Sequence, residues 1–163
     1  MKILSMKTTI FLGAMLSLLV CLMFTGCSNS ETNSISRGLT DFAHIEEEYL
    51  ATIDSLNWPD GITLPDKLED EDTGASFQVG YGETRASYLW EYSWMKEWLD
   101  TYNTDPERAQ KALEELEKAF DMPYMGIDRC DDATRNYLRE NIDKAKLGDP
   151  SGFTESIRAN YAN

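Results

Sequence analysis

Residues 80–102 read GYGETRASYLWEYSWMKEWLDTY, and this stretch decides the fold. From about Glu83 to Tyr102 it contains neither proline nor glycine, and its apolar spacing is helical. Tyr88, Tyr92, Met95, Leu99 and Tyr102 recur every three or four residues, which puts them on one face. Trp90, Trp94 and Trp98 form a second stripe, set round the helix because each residue turns by about 100°. Only Ser93, Lys96, Glu97 and Asp100 remain as a polar strip. A helix that is apolar on most sides belongs in the middle of a domain, so the rest of the chain is expected to surround it.

Working outward, Phe77, Val79 and Tyr81 alternate as in a strand. No partner run is visible, so residues 57–82 are expected to form an irregular extended segment lying on helices. Before it, Phe42, Ile45, Tyr49, Ile53 and Leu56 define a helix over about 41–56, with Thr40 placed to cap it. Asn57-Trp58-Pro59-Asp60-Gly61 ends that helix, because proline disfavours helix in the residue before it and Asp-Gly marks a turn. After the central stretch, Asp105-Pro106 starts a third helix carrying Ala109, Leu113, Leu116 and Phe120, which stops at Met122-Pro123. A fourth runs from about Asp131 to Leu147. Asp149-Pro150 opens a fifth with Phe153, Ile157 and Tyr161 on one face. The expected fold is an all-α bundle of four or five helices, with no internal repeat.

The N-terminal residues carry a different signal. Lys2 and Lys7 precede an uncharged apolar run, Ile10 to Phe24, followed by Thr25-Gly26-Cys27. A positive start, an apolar middle and a small-residue exit make a secretory signal. The run has 15 residues, whereas a spanning helix needs about 20, which favours cleavage over a permanent span. Phe24-Thr25-Gly26-Cys27 resembles the lipobox of bacterial lipoproteins, with Phe24 in place of the usual Leu. The alternative at Cys21 has the bulky Val20 beside the cut. The resemblance covers the first 27 residues only. It implies a lipid-bearing Cys27, cleavage before it, and attachment to the cell membrane or outer membrane on the side away from the cytoplasm. Two or more acyl chains hold a protein stably at a bilayer. The expected organisation is then a signal at 1–26, a lipidated cysteine and polar tether at 27–38, and an acidic helical domain at 39–163.

Without the signal, 13 basic and 29 acidic side chains remain, a net charge of −16. That argues against nucleic acid, whose phosphates need clustered Lys and Arg, and against a polybasic hold on anionic lipid. A peptide, glycan or protein is the expected class of partner, beside the membrane reached through the lipid. With Cys27 lipidated, Cys130 stands alone, so stability must come from packing rather than a disulfide.

Signals for chemistry are sparse. His44 is the one histidine and lies beside Glu46-Glu47-Glu48, as a solvated helix residue would. Gly80-x-Gly82 before a helix suggests a phosphate turn, but Arg85 replaces the third glycine of the dinucleotide fingerprint, so close packing is the better reading. Glu69-Asp70-Glu71-Asp72-Thr73-Gly74 puts glycine at the sixth position of a calcium loop, yet Gly80 stands where the bidentate Glu belongs. No cofactor or metal is expected. Cys130 falls at the start of the fourth helix, where a thiolate is favoured. Indole faces suit sugars, peptides and quaternary ammonium groups. Tyr81, Glu83, Arg85, Trp90, Trp94, Glu97 and Trp98 therefore make the candidate ligand surface of a non-enzymatic binding module. The competing reading buries the Trp stripe and leaves a structural envelope lipoprotein. An acid–base hydrolase of wall polymers is the third reading, and it needs two facing carboxylates.

Overall fold

Asp41 starts the first helix: its carboxylate accepts a hydrogen bond from the His44 amide at 3.0 Å and satisfies a donor the helix leaves free. Thr40, expected in that role, lies instead in a strand. The computed structural model describes residues 38–69 and 71–161. The signal at 1–26, Cys27 and the tether up to Arg37 lie outside the described residues.

The elements run β1 (Leu39–Thr40), α1 (Phe42–Ser55), β2 (Phe77–Gln78), α2 (Tyr81–Thr101), α3 (Pro106–Glu117), α4 (Asp132–Lys146) and α5 (Ser151–Asn160). Among the described residues the fold is an all-α bundle of five helices with one small sheet. The strands pair antiparallel, Leu39 opposite Gln78 and Thr40 opposite Phe77. The Val79 amide also donates to the Gly38 carbonyl at 3.1 Å. The expectation of an unpartnered extended segment is thus corrected: the partner is the two-residue entry to the first helix, too short to show an alternating pattern.

The third helix ends earlier than expected. After Glu117 the chain tightens into two 3₁₀ turns, Lys118–Asp121 and Pro123–Met125. Asp131 caps α4 by accepting from the Thr134 amide at 2.7 Å. Asp149 accepts from the Ser151 amide at 2.9 Å at the start of α5.

α2 is the central helix, and it begins two residues before the expected start. Ala86 packs with Ile45, Tyr49, Ile53 and Leu68 on the α1 side. Trp90, Trp94, Met95 and Trp98 pack with Leu113, Leu116, Leu138, Ile142 and Phe153 on the other. Burying each of these large side chains contributes about 1.5–3 kcal/mol. Ser93, expected on the polar strip, is buried, and its hydroxyl donates back to the Leu89 carbonyl at 2.7 Å. No helix among the described residues is long and apolar enough to cross a membrane.

Candidate functional site

The entry to α2 gathers most of the residues that the sequence singles out. Gly80 adopts φ +88°, the left-handed region that favours glycine. At Gly82 a Cβ would collide with the Ile45 carbonyl oxygen, so glycine lets the backbones of α1 and α2 touch. The free amides at the helix start are not left for a phosphate. One Glu48 carboxylate oxygen accepts from the Gly80 amide at 2.7 Å and the other from the Gly82 amide at 3.2 Å. A side chain of α1 therefore fills the anion position that a helix N-terminus offers. His44 joins it, with Nε2 at 3.3 Å from Glu48.

Tyr81 and Arg85 meet at Glu71. The Tyr81 hydroxyl donates to the Glu71 carboxylate at 2.7 Å, and Arg85 Nε lies 3.3 Å from it. Glu83 is taken by Arg129 at 2.6 Å. Glu97 holds Arg108 through two hydrogen bonds, at 2.7 and 2.9 Å. Each polar member of the candidate set is thus engaged within the chain: Glu71 belongs to the acidic run that resembles a calcium loop, while Arg129 and Arg108 carried no signal in the sequence.

The indoles are engaged too. Trp90 and Trp94 both donate their ring N–H to the Asn57 carbonyl, at 2.8 and 3.1 Å. That oxygen is held over the helix by the turn at 57–61, where Trp58 in turn donates to the Ile53 carbonyl at 2.9 Å. Trp98 stacks on Tyr102 with ring centroids 4.6 Å apart and meets Phe153 edge-on at 5.3 Å. Trp90 and Trp94 are 1% exposed and Trp98 is 2%. Of the two readings of the Trp stripe, this geometry is that of the core: a shared carbonyl satisfies two N–H groups and lets both rings enter it.

Beside this seam, Glu91 points into a cluster of tyrosines. Its carboxylate accepts from the Tyr124 hydroxyl at 2.8 Å. Burial pushes Glu91 up to about 7, while the hydrogen bond from Tyr124 works against that shift. Burial also raises the Tyr88, Tyr124 and Tyr161 hydroxyls. Cys130 sits nearby, with Sγ 3.5 Å from Met125 Sδ. Burial raises its thiol, Arg135 opposing, so the thiolate expected from the helix start is not favoured. Tyr124 escaped the sequence reading, and Tyr161 was read only as part of the fifth helix's apolar face, because they lie in a turn and at a helix end, far from Glu91 along the chain.

Among the described residues no three His, Cys, Asp or Glu side chains converge as a metal-binding set. A groove of about 410 Å³ lies elsewhere, lined by Glu117, Phe120, Arg139, Ile142, Asp143 and Lys146. It contains none of the sequence candidates. Lys146 bridges Glu117 at 2.5 Å, and Arg139 lies over the Phe120 ring at 4.2 Å. No family model, curated protein or solved structure matches the chain.

Proposed function

We propose that this chain is a lipid-anchored lipoprotein outside the cytoplasm whose acidic helical domain serves as a structural or protein-interaction module of the envelope. The anchor rests on Phe24-Thr25-Gly26-Cys27 after its apolar run. The observation that carries the role is the closed Trp seam: the indoles are buried, and Glu83, Arg85 and Glu97 are paired with the chain's own residues. This favours a module that presents a rigid outer surface over one that opens a Trp-lined site to a small ligand. The charge supports the same reading, since an acidic domain and anionic headgroups repel within a Debye length of about 8 Å. Eleven residues, Ser28 to Gly38, separate Cys27 from β1, which limits the domain's reach to about 40 Å even for fully extended chain.

Metabolic labelling with a fatty acid tests the anchor. The protein is expected to take up label and sediment with membranes, and Cys27→Ala to lose both. Label that persists in Cys27→Ala would overturn the assignment.

A further inference from the structure

Among the described residues two carboxylates are buried, Glu91 and Glu115, each 8% exposed. They are solved differently. Glu115 has Lys118 at 2.6 Å. Among the described residues no lysine, arginine or histidine lies within ion-pair distance of Glu91, and the Tyr124 hydroxyl is the one side chain that donates to it. A buried ionised carboxylate without a cation is expensive, because burial removes the water that would stabilise it.

The groups facing Glu91 do not relieve this. Tyr88 comes from α2, Tyr124 from the Pro123–Met125 turn, Cys130 from the loop before α4, and Tyr161 from the end of α5. All four are uncharged at neutral pH, and burial keeps them so. They also form the joint between these elements. Tyr161 packs on Tyr92 with centroids 4.9 Å apart and donates to the Tyr88 carbonyl at 3.3 Å. Tyr88 meets Tyr124 edge-on at 5.7 Å.

We propose that Glu91 is a proton-operated latch: protonated, it lets the Pro123–Met125 turn and the end of α5 close on α2, and ionised, it releases them. The proton passes to bulk water, and the carboxylate regains hydration only if the joint parts. Parting uncovers the buried ring of Tyr124 and the half-buried ring of Tyr161 beside the already exposed Tyr88, so the domain changes its aromatic surface with the pH around it. Burial places the ionisation near neutrality, where the surroundings of an exposed protein vary. The latch is a property of the fold and stands whether or not Cys27 carries lipid.

Hydrogen exchange on the full chain in detergent, followed by mass spectrometry from pH 5 to pH 8.5 and corrected for intrinsic rates, tests this. Protection of the segments around 123–125 and 157–161 is expected to fall as pH rises, by on the order of a hundredfold. α1, which opens only when the whole domain unfolds, should stay better protected than these segments at every pH. Glu91→Gln, a neutral mimic of the closed state, should hold both segments closed throughout. Tyr124→Phe removes the hydroxyl that favours the ionised form, so its transition should move to higher pH. It decides alone if Glu91→Gln does not fold. Flat protection in the wild type, an unchanged fall in Glu91→Gln, α1 protected no better than these segments, or no upward shift in Tyr124→Phe would each overturn the latch.

Discussion

Gly82 and Glu48 show how two side-chain choices set the angle between two helices. Gly82 has no Cβ where the Ile45 carbonyl lies, and Glu48 ties down the amides of Gly80 and Gly82. Gly82→Ala should cost about 3 kcal/mol, because the obstacle is backbone and α1 must move as a unit. Glu48→Ala should cost about 2 kcal/mol by stranding two helix-start donors, and Glu48→Gln less, since it still offers one acceptor. Urea unfolding of the three variants at one pH gives the order directly. A Gly82→Ala protein as stable as the wild type would mean that the two helices can part freely. The close-packing role of glycine was legible, because a glycine at a helix entry has few uses. Glu48 was not legible: it lies 32 residues before Gly80, among three consecutive glutamates, and only the packing of α1 on α2 selects it.

At the scale of elements, α2 turns an unusual composition into a core. Its two stripes cannot both reach solvent, and Asn57 resolves the polar cost of burying two indoles with one oxygen. Trp90→Ala and Trp94→Ala should each lower stability by about 3–5 kcal/mol. Trp94→Phe should cost less, since Trp90 still satisfies the Asn57 carbonyl. Thermal melts of the single variants check this, and a Trp90→Ala or Trp94→Ala protein that melts like the wild type would return that indole to the surface. Helices were legible because the spacing of Tyr88, Tyr92, Met95 and Leu99 follows from helix geometry alone. The β1–β2 pair was not, since two residues on each side hold no period. Nor were the 3₁₀ turns after Glu117: Leu116 and Phe120 keep the helical interval even though the backbone between them tightens. Ser93 misled because a serine can bond its own helix and enter a core without a tertiary partner.

For the whole molecule, pH sets two opposing limits on stability. Glu91 lies higher in the folded state, about 7, than its ordinary 4.5. Its contribution is therefore complete below about pH 4.5 and is lost as pH rises through 7, a fall of about 3 kcal/mol at 1.36 kcal/mol per unit. Asp131 and Asp149 are shifted the other way. Amides at the starts of α4 and α5, led by those of Thr134 and Ser151, hold both carboxyls below their ordinary 3.8. Their contribution is present above about pH 4 and is lost as pH falls through the folded values. The two effects place the optimum in mild acid, near pH 4.5, rather than at neutrality. The many acidic side chains add mutual repulsion as pH rises, but Glu91→Gln leaves that repulsion almost unchanged. The difference between the two profiles thus isolates one carboxyl: melts from pH 3 to pH 8.5 should coincide in shape on the acid side and diverge above about pH 4.5, with Glu91→Gln declining less steeply than the wild type. Parallel profiles would mean that Glu91 ionises without cost, in which case the tyrosine cluster must admit water even when closed.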